Sequence, residues 1–284
     1  MYRFAEDIEL ACTLLGMSRR ELALELGVSV PSIERWVAGK ARPSGSNMEL
    51  FYSFAYKRGI RFNDIKAQLY VEDYALSDAP LLFHGSKAGI TGELALEASR
   101  PNNDFGRGFY CGESLRQSTM FVARYPQSCV YMVAFDSVGL TSLRFKVDEQ
   151  WMLAVAYHRG KLDTYKNHSL MQDIVDSVER ADYLVAPIAD NRMFETIDSF
   201  IDGEITTEQC RHCLSATNLG NQYVFRTKKA LAHVKLLEQC YICKRERDDY
   251  LQLQLSDARL GSDKVKAARR QYRGQGKYIE ELFA

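Results

Sequence analysis

The feature that most constrains the fold is the segment 17–36, where two helical patterns flank a tight turn. Ser18 precedes the first pattern as an N-cap, and Glu21, three residues later, completes a capping box. Gly27 permits the tight turn, and Pro31 suits the first turn of the next helix, where no backbone donor is needed. The segment therefore predicts two short helices joined by a turn.

The apolar residues of this segment predict how the two helices meet. Ala23 is small enough to let them approach, and Leu22, Val28 and Ile33 supply a shared core. The second helix then has an outer face of the size that a DNA major groove receives. The residues predicted on this face are Ser29, Val30, Pro31, Ser32 and Arg35.

With the Gly-Lys-x-Arg-Pro run at Gly39–Pro43, the segment resembles the phage-repressor-like helix-turn-helix family. The resemblance implies DNA binding, with Arg19 contacting a phosphate and Arg35 reaching a base edge. It also implies a homodimer that reads paired half-sites of an operator. The alternative is a helical bundle used only for protein contacts or dimerisation, because Val30 and Pro31 are poor base readers.

Helical patterns also surround this motif, over Phe4–Leu15 before it and Met48–Lys57 after it. They complete a predicted all-α domain over residues 1–72. Val71–Pro80 lacks a strong period and is predicted to be a linker. We therefore expect an N-terminal helical domain that is separate from the rest of the chain.

From Leu81 onward, short apolar runs typical of strands are mixed with helical stretches, without regular alternation. This pattern predicts an α+β domain rather than a doubly wound sheet, and we place it over residues 80–243. The segment 244–284 is charged and helical in propensity, so we expect a solvated helical tail. The predicted strands are Leu81–Phe83, Cys129–Phe135, Tyr183–Ile188, Tyr223–Phe225 and Val234–Ile242, and the predicted helices are Leu115–Arg124, Gln150–His158, Leu170–Val178 and Thr207–Ala216.

Composition excludes several classes of protein. The chain carries 37 basic and 37 acidic residues, so any DNA contact must come from a local patch. An odd count of seven cysteines argues against a disulfide scaffold. No stretch approaches the roughly 20 consecutive apolar residues of a membrane span, and no secretory signal begins the sequence. We therefore expect a cytoplasmic protein with no membrane partner.

The predicted second domain carries a run His-Gly-Ser at 84–86, a run Gly-x-Gly-x-Tyr at 106–110, and Phe121 in a helical pattern. Each run alone is weak evidence, whereas their order and spacing are specific. Together they resemble the diphtheria-toxin and poly(ADP-ribose)-polymerase branch of the ADP-ribosyltransferases. With 181–191 and 222–231, the region from Pro80 to Leu237 resembles a bacterial domain of uncharacterised function in that superfamily. The resemblance implies an ADP-ribosyltransferase-like fold with a split antiparallel β core, and NAD⁺ as the substrate.

The resemblance also assigns roles in NAD⁺ binding. Nicotinamide leaves through a transition state with oxocarbenium character, so the ring must be held rigidly and charge on the ribose must be stabilised. The Gly85 backbone and the Ser86 hydroxyl would hold the carboxamide, and His84 would hydrogen-bond a ribose hydroxyl. Tyr110 and Phe121 would sandwich the nicotinamide. The same resemblance adds Asp104, Gly106 and Arg107 to the cofactor-binding set.

The sequence departs from the polymerase pattern at one position. Gln222 stands where the resemblance implies a glutamate, and we count it as catalytic beside His84 and Tyr110. A neutral amide can orient a ribose but cannot stabilise a cation by charge or act as a general base. We therefore expect transfer of a single ADP-ribose and no chain elongation. The alternatives for Gln222 are a pseudoenzyme that only binds NAD⁺, or a polar residue that caps a strand end.

Two CxxC pairs, Cys210–Cys213 and Cys240–Cys243, suggest a zinc site with His212 nearby. Their separation is longer than in common zinc ribbons, and no glycine-rich knuckle accompanies them. We therefore predict buried free cysteines and no metal. Two functions remain open. One is a mono-ADP-ribosyltransferase toxin or effector of a toxin–antitoxin or phage-defence system, with an antitoxin partner and an acceptor that the sequence does not identify. The other is a DNA-binding regulator whose C-terminal domain senses NAD⁺ or a derivative.

Overall fold

A computed structural model describes residues 2–74, 80–189, 191–216 and 219–284. Within these ranges the chain forms helices and strands in mixed order, which confirms the α+β class. The helices are α1 Phe4–Leu15, α2 Arg19–Leu26, α3 Val30–Val37, α4 Gly45–Lys57, α5 Phe62–Asp73, α6 Leu115–Val122, α7 Glu149–His158, α8 Ser169–Glu179, α9 Asn191–Ile201, α10 Thr207–Ser215, α11 Lys228–Ala232, α12 Lys244–Gln271 and α13 Ile279–Leu282. The strands are β1 Leu82–Ser86, β2 Phe109–Gly112, β3 Cys129–Phe135, β4 Ser142–Arg144, β5 Tyr183–Pro187, β6 Asn221–Phe225 and β7 Val234–Tyr241.

The chain divides into two compact units, each built from segments that are separate in sequence. Unit 1 consists of Met1–Gly89, Leu115–Ala134 and Leu236–Leu253. Unit 2 consists of the remaining segments, which are Ile90–Ser114, Phe135–Lys235 and Gln254–Ala284. The described helices include none that is long and apolar enough to cross a membrane.

Helices α1 and α2 begin and end where the sequence predicts. Ser18 and Glu21 form the predicted capping box at the start of α2. Gly27 ends α2 with a φ of 64°, in the left-handed region that favours glycine. Ser44 caps α4, which therefore begins three residues earlier than the predicted Met48. The sequence pattern does not predict α5, which extends to Asp73 into the expected linker, whereas residues 75–79 of that linker lie outside the described residues.

The hydrophobic core of these helices also contains residues from the segment 236–253, which is distant in sequence. Ile8, Ile33 and Phe51 are fully buried in a cluster that also contains Cys243, the residue before α12. Tyr241 of β7 contributes to the same cluster. The helix-turn-helix region therefore packs on the segment 236–253 within unit 1.

Buried polar contacts reinforce this packing. Lys66 of α5 lies 2.7 Å from a carboxylate oxygen of Asp7 and 2.6 Å from one of Glu238. Asn63, also in α5, donates to Glu246 of α12 at 3.0 Å. The β1 and β3 strands of the same unit pair antiparallel, and β3 neighbours β7.

Unit 2 contains a second group of strands in the order β4-β5-β6-β2. β4 and β5 are parallel, whereas β5 pairs antiparallel with β6, and β6 with β2. The register sets Gly112 opposite Gln222. Fully buried Phe105, Trp151 and Phe200 belong to the core beside these strands.

The C-terminal tail differs from the solvated appendage that the sequence predicts. Gln209 donates to the backbone carbonyl of Arg269 at 2.8 Å, and Ile279 is 3% exposed. The Phe283 ring stacks on Tyr165 with 4.0 Å between the ring centroids. Because these contacts remove apolar surface from water, the end of the tail belongs to the folded part of unit 2.

Candidate functional site

The outer face of α3 and the residues just after this helix carry exposed cations that could contact DNA. Arg35 is exposed, as are Lys40 and Arg42 just after the helix, and none of the three makes an ion pair with any residue that the structure describes. Ser29 and Ser32 share a hydrogen bond of 2.8 Å between their hydroxyls, where Ser29 caps α3. These positions fit phosphate or base contacts.

Other residues predicted to contact DNA have different surroundings. Arg19 is paired with Glu9 at 2.8 Å and with Glu34 at 2.7 Å, so its guanidinium already holds two carboxylates. Val30 is half-buried and packs against the core, which corrects its predicted outward orientation. Its apolar side chain is removed from water there, as the hydrophobic effect favours. Pro31 is exposed in the first turn of α3.

In unit 1, the motif at 84–86 forms the end of β1. His84 is half-buried, and its ring centroid lies 6.4 Å from that of Tyr131. A Cβ added to Gly85 would lie 2.5 Å from the carbonyl oxygen of Ser118 in α6. The close approach of α6 therefore requires glycine at position 85. The sequence interpretation attributes this requirement to a ligand instead. Ser86 is half-buried, and Phe121 of α6 is 48% exposed.

In unit 2, the Gly-x-Gly-x-Tyr motif forms a turn that is closed by its own tyrosine. The Tyr110 hydroxyl donates to the Gly106 carbonyl at 2.7 Å and accepts from the Phe105 amide at 3.2 Å. Burial, and after it the charge of Asp104, raises the pKa of Tyr110. Gly106 has a φ of 72°, and Arg107 donates to backbone carbonyls of the preceding loop. The motif is thus a rigid turn that leads into β2, where Tyr110 lies.

Asp104 and Gln222 meet inside unit 2. The Gln222 amide nitrogen donates to the Asp104 carboxylate at 2.8 Å and to the Pro187 carbonyl at 3.1 Å. The second oxygen of Asp104 accepts from Arg159 at 2.7 Å. Asp104 is 7% exposed and Gln222 8% exposed. The three side chains form a hydrogen-bonded chain from the end of α7 to β6.

Sequence reasoning missed Arg159 and its neighbour His158. Burial, with a further contribution from Arg226, lowers the pKa of His158 to about 4. The buried His158 Nε2 has no hydrogen-bond partner among the described residues. Both residues lie at the end of a predicted helix, and their only sequence signal is a His-Arg pair at that end. Nothing in the local pattern connects them with Asp104, which lies 55 positions before Arg159.

The predicted site residues thus form two groups. Unit 1 holds His84, Gly85, Ser86 and Phe121 on β1 and α6, and unit 2 holds Asp104, Gly106, Arg107, Tyr110 and Gln222. In unit 2 the structure brings Asp104 and Gln222 into direct contact.

The cysteine pairs are separate features. Cys210 and Cys213 lie in α10 of unit 2. Cys240 in β7 and Cys243, two residues after β7, lie in unit 1, and all four are buried and free. The described ranges contain no group of three or more His, Cys, Asp or Glu side chains that could hold a metal ion.

Comparison with known families distinguishes the two parts of the sequence. Residues 8–51 match a helix-turn-helix family, which agrees with α2, α3 and the cations exposed at the end of α3. No curated protein and no solved structure matches the chain. Residues 81–236, more than half of the 284, match a family described as a protein of unknown function, DUF3990. The chain belongs to this family.

Proposed function

We propose that the protein is an NAD⁺-dependent mono-ADP-ribosyltransferase joined to a DNA-binding helix-turn-helix. The observation that carries the proposal is the contact of Gln222 with Asp104 beside the rigid turn of Tyr110, in unit 2. A transferase needs a polar group fixed before the ligand arrives, because reorganisation during the reaction costs rate. Gln222 is held by two hydrogen bonds, and the Tyr110 ring by two more.

The substrate, NAD⁺, is proposed from the order of the sequence motifs, and Tyr110 and Gln222 have separate roles in binding it. Tyr110 offers its aromatic ring for nicotinamide, and Gln222 offers an amide for a ribose hydroxyl. Since Gln222 has no carboxylate to activate an acceptor hydroxyl, one ADP-ribose is transferred and no chain is built. The setting is a bacterial toxin–antitoxin or phage-defence system, with an antitoxin as partner.

Labelled NAD⁺ tests the proposal. Incubation of the protein with label and bacterial lysate, followed by protease or nuclease, would classify the acceptor as protein or nucleic acid. Tyr110→Ala should abolish labelling, because the stacking surface is lost, while Tyr278→Ala, at a tyrosine that is 42% exposed, should label like the wild type. If the wild type labels nothing and consumes no NAD⁺, the transferase proposal is wrong.

A second function is favoured by the neutrality of position 222. An amide bound to Asp104 and Pro187 places no carboxylate at position 222, which suits a domain that binds NAD⁺ without consuming it. The protein would then be a transcriptional regulator that senses NAD⁺ or a derivative. This function predicts that NAD⁺ changes the affinity for operator DNA while the nucleotide is recovered intact. Unchanged DNA affinity at saturating NAD⁺ would exclude it.

A further inference from the structure

Both amide hydrogens of Gln222 are used by groups that can only accept. One goes to the Asp104 carboxylate at 2.8 Å, and the other to the Pro187 carbonyl at 3.1 Å. An amide turned by 180° would set its own carbonyl oxygen against both of these oxygens. The surroundings of Gln222 therefore determine which end of the amide faces Asp104.

Asp104 is itself held on its other side. Arg159 donates to the second carboxylate oxygen at 2.7 Å, and its guanidinium carbon lies 2.9 Å from the centroid of the Phe194 ring. The charge-assisted hydrogen bond and the aromatic contact limit the freedom of both side chains. The chain of contacts thus runs from Phe194 through Arg159 and Asp104 to Gln222.

The carbonyl oxygen Oε1 is the part of Gln222 that these contacts leave unused. It accepts no hydrogen bond from the residues that the structure describes. A ligand group that hydrogen-bonds with Oε1 must therefore be a donor, such as a hydroxyl. We propose that Asp104 is a positioning residue that orients Gln222 so that Oε1 accepts from a hydroxyl group of the ligand. For the ligand to be NAD⁺, with a ribose hydroxyl as donor, the inference rests on the proposed function.

The proposal explains why a carboxylate would not fit at this position. Gln222→Glu would set a second carboxylate at hydrogen-bond distance from Asp104, and two such charges repel strongly when buried. Asp104→Asn combined with Gln222→Glu restores a donor and an acceptor. The amide nitrogen introduced at position 104 would donate to the carboxylate introduced at position 222. The amide oxygen at position 104 would still accept from Arg159.

A double-mutant cycle in the full chain tests the positioning without any ligand. Denaturant unfolding is measured for the wild type, Asp104→Asn, Gln222→Glu and the double variant. We expect each single variant to destabilise the folded state. The unfolding equilibrium constant of the double variant should be about tenfold smaller than the two single effects together predict, since residues in contact couple. In a control cycle Asp176→Asn replaces Asp104→Asn, because it also breaks an ion pair with an arginine, Arg180, and should be additive with Gln222→Glu.

The role of Oε1 is tested with two ligands, NAD⁺ and an analogue that lacks a hydroxyl on the nicotinamide ribose. The wild type should bind NAD⁺ at least about tenfold more tightly than the analogue, and Gln222→Met should lose this preference. Additive unfolding effects in the Asp104 cycle would overturn the positioning role, whatever binds. Equal affinity of the wild type for both ligands would overturn Oε1 as the acceptor. If the wild type binds no NAD⁺, the proposed function fails, while the unfolding cycle still decides whether Asp104 positions Gln222.

Discussion

At Gly85, a single added methyl group would meet the backbone of α6. The new Cβ would lie 2.5 Å from the Ser118 carbonyl oxygen and 3.0 Å from a methyl carbon of Val122. Because the first of these atoms is backbone, it cannot move away cheaply. Gly85→Ala should therefore lower the free energy of unfolding by about 1–3 kcal/mol, the usual cost of overpacking. Chemical denaturation of the full chain measures it.

Gly45 provides the matched control for Gly85. It lies in the first turn of α4, and a Cβ there would meet nothing within 4 Å. Gly45→Ala should leave stability unchanged or raise it by up to about 1 kcal/mol, because the unfolded chain loses freedom. Equal effects of the two substitutions would show that the close approach at Gly85 is not what requires glycine.

The same residue shows where sequence reasoning stops. The motif places Gly85 correctly at a strand end, whereas the resemblance assigns the glycine to a ligand. The contact with Ser118 joins positions 33 residues apart, so the local periodicity of the sequence does not indicate it. Likewise, Gln222 contacts Asp104 across 118 residues, so their pairing could not be predicted from either motif.

At the scale of elements, we expect exposed cations of α3 and of the turn after it to contribute to DNA binding. Arg35 and Lys40 are exposed and unpaired among the described residues. Lys40→Ala should weaken binding to all sequences alike and reduce the salt dependence by about one unit of slope, as expected for one lost phosphate contact. Arg35→Ala should cost about 1–3 kcal/mol on the preferred sequence and relax selectivity. Gel-shift titrations at several salt concentrations measure both.

Lys228→Ala serves as the control for those titrations, because Lys228 is an exposed lysine in unit 2. It should leave both the affinity and the salt slope unchanged. Should Lys228→Ala and Lys40→Ala have the same effect, binding would depend on net charge and not on the helix-turn-helix surface.

Helix α12 is joined to α5 by a carboxyl group whose ionisation should affect stability. Burial, with a further contribution from the charge of Asp64, raises the pKa of Glu246 to about 7, whereas the hydrogen bond from Asn63 and the charge of Arg61 act to lower it. A raised folded-state pKa means that the neutral acid is favoured in the native protein. The contribution of the neutral Glu246 to the free energy of unfolding is fully present below the ordinary pKa near 4.5. It is lost as pH rises through 7.

Glu246→Gln keeps position 246 neutral at every pH. At pH 8 the variant should be more stable than the wild type by up to about 3 kcal/mol, at about 1.36 kcal/mol per pKa unit. At about pH 4, below both pKa values, the two proteins should have nearly equal stability. Denaturant unfolding at the two pH values makes the comparison, and a difference that does not change with pH would contradict the raised pKa.

Most helices could be predicted because their signals are local. The capping box at Ser18 and the apolar spacing of α1 lie within a few residues of the ends they define. The sequence pattern misses α5 because this helix buries only Phe62 and Asn63, which is too little for a clear period. It is stabilised by distant partners, such as Asp7 and Glu238, which both pair with Lys66. A helix held by long-range contacts gives no local pattern.

At the scale of the whole molecule, the stability of the helix-turn-helix depends on the segment 236–253, which begins where the matched family region 81–236 ends. Unit 1 combines Met1–Gly89 with Leu236–Leu253. Tyr52 of α4 stacks on Tyr241, with 4.8 Å between the centroids, and Cys243 lies in the core. The Glu49 carboxylate accepts from the Lys244 amide at 2.8 Å. A cut near residue 74 would expose this apolar surface and remove these partners.

A fragment of residues 1–74 should therefore be less stable than the same helices in the full chain. Truncation removes Glu238, so Lys66 keeps only Asp7, and it exposes Tyr52, which is 5% exposed in the full chain. Each large apolar side chain returned to water costs about 1.5–3 kcal/mol, which is a large part of a small domain's total stability. We expect a broad thermal transition by circular dichroism and rapid hydrogen exchange in α4 and α5. Within the full chain, Tyr241→Ala should accelerate exchange in the same two helices, whereas Tyr278→Ala should not. A fragment that melts as sharply as the full protein, together with unchanged exchange in Tyr241→Ala, would mean that the helix-turn-helix folds independently of the segment 236–253.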